Sequence, residues 1–544
     1  MKAVADLEWR VGAGLVAVLA LAVFLGGAFV SLLVQAGSIE SLGAVLSSRY
    51  LWGVAGFTLE QALLSTVLSL VCGLPLALAL HRSRFVGRTT VLRLFLLPQA
   101  LPVLVGALAI IAIWGRNGLL SQTAVALGLP RLDIYGLPGI LIAHVFFNMP
   151  LAARLMVAAL DAVPAESWKL AGQLSLNPLT TFRTVEWPAI RTALPGAASL
   201  VFMLCVTSFT LVLTLGGGPR ATTLEVAVYQ ALRYDFDPGR AVFLALAQIL
   251  LTGLVLAAML RLGGEGLGGF TLGRRPRRYD RMSPALRVFD GIVILLGVGF
   301  IVTPLLAVVV DGLAADLLRL LGEASVRRAI ATSGAVAAAA ASLGLLLSTA
   351  LLFAAQALAA SSAAGIKAGP KLRRLRPLFD LSGSLVLVVP PVVVGAGWFL
   401  ALRHVTQVFA AAPYVVVATN AVMSMPFIVR IVGPALAASA SRHDRLAASL
   451  GLYGLARLRH VEWPALKRPL GLSFAFALAL SLGDLGAVAL YGNQDFLTLP
   501  YLLLQRMGSY RTADAAGLAL ILGVVCLALM AIAERGFGRV GERR

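Results

Sequence analysis

Apolar residues in this chain come in long unbroken runs, separated by short stretches where arginine, lysine, proline and glycine gather. A helix needs about 20 apolar residues to cross the hydrocarbon core of a bilayer. Twelve runs meet that length, at about 11–36, 54–80, 92–114, 138–160, 193–215 and 240–262, then 288–311, 329–357, 381–402, 413–434, 469–491 and 514–534. Barrel strands would be half as long and would alternate apolar with polar residues. The pattern predicts an all-α membrane protein with about 12 transmembrane helices. The first run is too long for the apolar core of a secretory signal peptide and reads as a mature helix.

Composition agrees with the pattern. Hydrophobic residues make up 59% of the 544 and charged residues 13%, about half the charge density of soluble domains. Mean hydropathy is +0.90. Disorder and secreted disulfide scaffolds are excluded. The three cysteines, Cys72, Cys205 and Cys526, sit in apolar runs, and the five histidines are scattered, so neither a disulfide framework nor a metal site is expected.

A net charge of +20 would point to an acidic partner in a soluble protein. Here its position is the signal. With the N-terminus inside, cytoplasmic segments hold 31 of the 45 basic residues and the opposite loops hold 12. Among the former are Arg82, Arg84 and Arg88, Arg274, Arg275, Arg277 and Arg278, Lys371, Arg373, Arg374 and Arg376, and Arg543 and Arg544. The asymmetry obeys the positive-inside rule and places both termini in the cytoplasm. The charge also favours anionic lipid, and nucleic acid is not an expected partner.

The chain repeats itself at an offset of 276 residues. Met149-Pro150 matches Met425-Pro426, and Arg154 matches Arg430. Val185-Glu186-Trp187-Pro188-Ala189 recurs as Val461-Glu462-Trp463-Pro464-Ala465, followed by Gly216 with Gly492, Thr222 with Thr498 and Tyr234 with Tyr510. Shared leucines alone do not produce a polar pentapeptide in register. The expected organisation is a first half over 1–262, a basic cytoplasmic linker over 263–287 and a second half over 288–544. Six spans per copy make the repeats parallel, related by an axis along the membrane normal. Two facing halves make a transport pathway the leading expectation.

No phosphate-cradling G-x-x-x-x-G-K-[ST] loop is present, because none of the five lysines follows a glycine. No segment outside the spans is long enough for a nucleotide-binding domain, so any ATP is bound by another chain. Intramembrane ionisable groups suited to proton coupling are few: His144, Asp484, and Glu60 near a span end.

Two loops, 161–191 and 436–468, occupy the same place in each half. In the second, Ser441-Arg442-His443-Asp444 reads as a capping-box start. Leu446 and Leu450 then share one face, Ala447 and Gly451 the next, and Gly454 suits the helix end. In the first, Leu170, Ala171, Leu174 and Ser175 hold those places, and Pro178 ends the helix. An amphipathic helix resting on lipid is the bland reading. Duplication in register favours a partner that is itself two-fold.

These loops resemble the E-A-A-x-x-x-G-x(9)-I-x-L-P motif by which membrane subunits of binding-protein-dependent ATP-binding-cassette importers dock into their ATPase. Gly451, Val461, Pro464 and Ala447 match in the second copy; Ala171, Val185 and Pro188 match in the first, where Ser175 replaces glycine. Lys169 and Arg445 replace the glutamate, and Trp187 and Trp463 replace leucine. Over about 50–535 the chain further resembles permeases of thiamine/thiamine pyrophosphate importers. The stretches that carry this begin with His144-Val-Phe-Phe-Asn148, Gly216-Gly-Gly-Pro-Arg-Ala-Thr-Thr-Leu-Glu225 and Tyr229-Gln-Ala-Leu-Arg-Tyr-Asp-Phe-Asp-Pro238. Ser481-Leu-Gly-Asp-Leu-Gly486, Asp495-Phe-Leu-Thr-Leu-Pro500 and Gly508-Ser-Tyr-Arg511 complete them.

The resemblance implies a type I importer permease in the bacterial inner membrane, with one copy of this chain per complex. Its partners would be a homodimeric ATPase, which binds ATP and Mg, and a periplasmic thiamine-binding protein. This chain itself would hold no cofactor or metal and catalyse nothing. Leu170, Ala171, Leu174, Ser175 and Pro188, with Leu446, Ala447, Leu450, Gly451 and Pro464, would contact the ATPase. The alternatives are a ferric-iron or other small-solute importer permease, and a twelve-helix secondary carrier.

Asp484 is the first candidate for the pathway, because a carboxylate within a span costs about 3 kcal/mol unless it faces protein or water. Facing the pathway, it would stabilise the cationic thiazolium; buried, it would bond nearby backbone or Ser481. Ser208, His144 and Asn148 are further pathway candidates, the last two alternatively sealing a helix contact. Arg154 and Arg430 are expected to snorkel or to pair with loop acids, and Glu186 and Glu462 to anchor the loops.

Overall fold

A computed structural model describes residues 2–35, 47–261, 278, 283–363, 374–385, 389–403, 405 and 407–536. The basic linker therefore lies outside the described residues, apart from Arg278 and 283–287, as do Arg274, Arg275, Arg277, Lys371, Arg373, Arg543 and Arg544. The described residues form helices and turns and contain no strand.

Eleven helical segments among them are long and apolar enough to cross a membrane. The exception to the twelve expected spans is 381–402, which holds the Arg376–Leu385 helix and the 12-residue Pro391–Leu402 helix, with 386–388 undescribed. Its counterpart in the first half is also broken, into Arg88–Leu94, Leu97–Ala100 and Val103–Trp114. Prolines explain both interruptions: Pro102 immediately precedes the last of these helices, and Pro390 immediately precedes the helix that Pro391 opens. A proline offers no backbone N–H and turns its predecessor away from helical geometry.

Two compact units emerge, and they cut across the sequence halves. One gathers Met1–Ser47, Val228–Ile249 and Ala315–Arg544; the other gathers Ser48–Ala227 and Leu250–Ala314. Each half thus contributes its leading helix to the unit built mainly from the other half, and the first half adds Val228–Ile249 to the first unit as well.

In the first unit the leading helix Lys2–Gln35 packs along Ala324–Ala363 and Pro391–Leu402. Gly397 permits the approach, since a Cβ there would meet the backbone oxygen of Ala28 at 2.5 Å. Trp398 Nε1 donates to the Phe24 carbonyl at 3.0 Å. In the second unit the leading helix of the second half, Pro284–Ala314, packs on Arg49–Arg82 and Val103–Trp114, with Phe300 edge-on to Trp114.

A glycine seats the central helix crossing of each unit. A Cβ on Gly73 would press on the Met149 carbonyl at 3.2 Å, and one on Gly344 would meet the Ala421 carbonyl at 2.8 Å. Small residues let backbones meet where lipid supplies no hydrophobic drive for helix association.

Candidate functional site: paired loops and helix breaks

The two repeated loops reach one geometry by different routes. In the first, the Ala165–Gln173 helix starts afresh after Pro164. In the second, Ala440 stands at that position, so the Ala412–Ser449 helix runs through without a break. The expected capping box at Ser441 is therefore not a helix start. Gly454 does not end the helix either: Gly451 does, at φ +64°, with Leu452 N–H bonding Ala447 O at 2.9 Å and Gly451 N–H bonding Ala448 O at 3.1 Å.

This pair of bonds is a Schellman motif, which favours glycine in the left-handed position. Ser175 takes that position in the first loop at φ +49°, with the matching bonds Leu176 to Ala171 and Ser175 to Gly172, both 3.1 Å. Pro178 opens the next turn instead of ending this one, behind an Asn177 cap whose side chain accepts from Thr180 N–H at 2.8 Å.

What the loops present is alike. Ala171 and Ala447 are buried beneath the turn. Above them Leu170 and Leu446 stand 56% and 58% exposed, Leu174 and Leu450 62% and 64%, and Leu179 and Leu455 are exposed as well. Each loop thus exposes three leucines in the same pattern.

Each loop then enters its long helix through a π-helical turn, Phe182–Glu186 and Leu458–Glu462. Pro188 and Pro464 lie just beyond. A proline cannot bond to the carbonyl four residues back and its ring clashes with it, and widening the turn relieves the clash.

Glu186 and Glu462 end these turns, both buried. Glu462 pairs with Arg10 at 2.8 Å and Arg457 at 3.0 Å, and Arg10 also reaches Asp6 at 2.8 Å. Glu186 pairs with Arg82, through Nε at 3.0 Å and through Nη2, and with Arg278 at 2.7 Å. The Arg278 guanidinium also lies over the Trp168 ring, 4.2 Å from its centroid. Removing one partner from such a buried pair costs roughly 3–5 kcal/mol. Arg154 and Arg430 do not supply these charges. Arg154 donates to the Leu92 carbonyl at 3.1 Å.

The pathway candidates fall on related positions. Ser208 and Asp484 are 276 residues apart, and each sits where a span breaks: between Trp187–Val206 and Phe209–Leu215, and between Trp463–Gly483 and Gly486–Tyr491. Asp484 Oδ1 accepts from Gly486 N–H at 3.1 Å, while Oδ2 is buried with no hydrogen-bond partner.

His144 and Asn148 share a helix but contact different neighbours. His144 Nδ1 lies 2.8 Å from Ser65 Oγ, and Asn148 Nδ2 lies 3.4 Å from Cys205 Sγ. Both side chains are buried and seal helix contacts in the second unit. The 276-residue offset carries His144 to Asn420 and Cys205 to Ser481. In the first unit Asn420 Nδ2 donates to Ser481 Oγ at 2.9 Å. Sequence reasoning passed over Asn420, Arg10 and the particular role of Arg278, although the repeat pointed to the first of these.

The stretches after the breaks also meet. Arg233 donates to the Gly492 carbonyl at 3.3 Å and to the Tyr501 hydroxyl at 3.1 Å, all within the first unit. Among the described residues no group of three or more His, Cys, Asp or Glu side chains forms a metal-holding cluster.

A chain of apolar spans in two repeats, each with one leucine-exposing loop between spans, has the organisation of a membrane transport component. The family described as "Binding-protein-dependent transport system inner membrane component" matches residues 69–263 and 361–541, and the chain belongs to it. It is therefore a multi-pass inner-membrane component of a transport system. Within that family it is similar over nearly its whole length to thiamine transport system permease proteins. The Brucella abortus (strain 2308) protein is 53% identical over 525 residues, 96% of this chain and 94% of the relative. The Escherichia coli (strain K12) protein is 42% identical over 498 residues, 91% of each. A molybdenum transport system permease protein from Azotobacter vinelandii is 34% identical over 203 residues, 37% of this chain and 87% of its own.

Proposed function

We propose that this chain is the membrane-spanning permease of an ATP-driven thiamine importer. The observation that carries the reading is full-length similarity to thiamine transport system permeases, at 53% and 42% identity, in a chain whose two repeated loops expose matched leucines. ATP with Mg is bound and hydrolysed by two identical ATPase subunits on separate chains. A periplasmic binding protein delivers thiamine or thiamine pyrophosphate. One copy of this chain suffices, since it carries both halves, and both termini lie in the cytoplasm.

The ATPase contacts are Leu170, Ala171, Leu174, Ser175 and Pro188 on one loop, and Leu446, Ala447, Leu450, Gly451 and Pro464 on the other. The leucines would insert into the ATPase surface, the buried alanines set the close packing beneath, and the prolines fix the π turns. ATP-driven closure of the ATPase pair draws the loops together and opens the pathway to the periplasm, and hydrolysis reverses the change. This is alternating access with no chemistry on this chain.

For the pathway, Asp484 is the residue best suited to a cationic thiazolium. It holds a buried carboxylate oxygen without a partner at a helix break, and such intramembrane acids mark substrate routes. Ser208 occupies the equivalent break. His144 and Asn148 serve the helix contacts beside it.

The test is uptake of labelled thiamine by proteoliposomes holding this chain, its ATPase and its binding protein. Uptake should require all three proteins and ATP on the ATPase side, and should be lost with Gly451→Asp. Uptake by this chain alone, driven by an ion gradient, would refute the reading.

A further inference from the structure

Glu186 and Glu462 are each held by an arginine from an unexpected direction. Arg10 lies in the leading helix of the first sequence half, yet it holds the loop of the second half through Glu462 at 2.8 Å and 3.2 Å. Arg278 lies just ahead of the leading helix of the second half, yet it holds the loop of the first through Glu186 at 2.7 Å. The exchange is reciprocal, and both clamps are buried, with side-chain exposures of 3% and 3% in one and 7% and 0% in the other.

We propose that Arg10 and Arg278 are positioning residues that fasten each ATPase-contacting loop to the leading helix of the opposite sequence half, making those helices the route by which loop motion crosses between the halves.

Geometry and connectivity support the route. Arg10 is braced from behind by Asp6 at 2.8 Å, so its guanidinium is fixed in direction, and it grips both carboxylate oxygens of Glu462. Two-pronged arginine–carboxylate contacts set orientation as well as distance. The leading helix that carries Arg10 is packed along its length, and beyond it the chain passes into the second unit at Ser48. Arg278 is fixed by the Trp168 ring and lies 3.2 Å from His81 Nδ1. The helix after it, Pro284–Ala314, ends where the chain enters the first unit at Ala315. A displaced second loop therefore acts on Lys2–Gln35 through Arg10, and a displaced first loop acts through Arg278 on the chain just ahead of Pro284–Ala314. Arg457 belongs to the same sequence half as the loop it holds, whereas Arg82, which also holds Glu186, lies 3.9 Å from Asp290 on the Pro284–Ala314 helix and adds a second link from the first loop to that helix.

The inference rests on the reading of the loops as ATPase contacts, and two measurements separate the claims. The first uses this chain alone in detergent. Trypsin cleavage after Arg459 and Arg183, both exposed, is timed in Arg10→Gln and Arg278→Gln. Arg10→Gln should speed cleavage at Arg459 by about tenfold and leave Arg183 unchanged, and Arg278→Gln should do the reverse. The second uses the reconstituted importer and reads thiamine taken up per ATP hydrolysed. The Gln variants should lose about tenfold in that ratio while still hydrolysing ATP, whereas residues that only stabilise the fold would lower uptake and hydrolysis together.

Should the Gln variants fail to assemble, Arg10→Lys keeps the charge and loses the fork, and should lower the ratio about threefold. Cleavage rates unchanged by the Gln substitutions, or an unchanged ratio in the variants that assemble, would overturn the inference. If the unaltered chain stimulated no ATPase, the importer reading would fall, and the trypsin measurement would still decide whether the arginines hold the loops.

Discussion

Ser175 closes the first loop helix in the left-handed conformation that Gly451 adopts at the end of the second, at φ +49° against +64°. For an L-residue that conformation costs roughly 1–2 kcal/mol, a strain glycine escapes. Ser175→Gly should therefore slow hydrogen exchange of the Leu176 amide by about fivefold, equivalent to about 1 kcal/mol. Gly451→Ser should speed exchange at Leu452 by a similar factor. No atom lies within 4 Å of a Cβ built on Gly451, so backbone strain is the whole effect. Equal exchange in variant and parent would show that the strain is absorbed elsewhere.

Asn420 and Asn148 provide an internal comparison. Both reach across to the neighbouring span, one to a hydroxyl at 2.9 Å and the other to a thiol at 3.4 Å. Interhelical hydrogen bonds within membranes contribute about 0.6 kcal/mol on average and up to about 1.7. Asn420→Ala should lower the thermal midpoint of the solubilised protein more than Asn148→Ala. The reverse order would mean that helix packing outweighs the hydrogen bond at these positions.

Gly344 sits where a Cβ would collide with Ser424 Oγ and the Ala421 carbonyl. Gly344→Val should destabilise the first unit by roughly 1–3 kcal/mol, the usual cost of overpacking. Gly334→Val, on the same helix with nothing within 4 Å, serves as the control. Thermal unfolding of both variants checks the contrast, and equal midpoints would mean that the two helices cross elsewhere.

Asp484→Asn retains an oxygen for the Gly486 N–H and removes the charge. Assembly should be unchanged, and uptake of thiamine should slow by roughly tenfold, the equivalent of about 1.4 kcal/mol of lost attraction for a cation. Steady-state uptake against substrate concentration reads the effect. Unaltered kinetics would end the assignment of Asp484 to the pathway and leave it as an acceptor for the Gly486 N–H.

The helical class, the two-fold repeat and the exposed leucines of both loops were legible along the chain. These features depend on residues near one another, on twenty-residue apolar runs and on short motifs copied at a fixed offset. Pro164 was passed over, and its meaning emerges only beside Ala440, which lets the second loop continue the preceding helix where the first must begin again. The Schellman turns were not legible: Gly454 and Pro178 were expected to end the loop helices, and Gly451 was read as a small residue on the helix face.

Other features have no local signature. No proline marks the helix breaks at Ser208 and Asp484, and an apolar run reads the same whether its helix is whole or interrupted. Arg10 and Glu462 are 452 residues apart, and each alone resembles any charge at a membrane boundary. Only folding brings them together, and burying a carboxylate is costly unless a cation reaches it. Sequence alone determined that the chain crosses a membrane as two similar halves, since transfer from water to lipid is decided segment by segment. The tertiary structure decided that the halves exchange their leading helices and hold each other's loops, since that depends on which buried surfaces and charges satisfy one another.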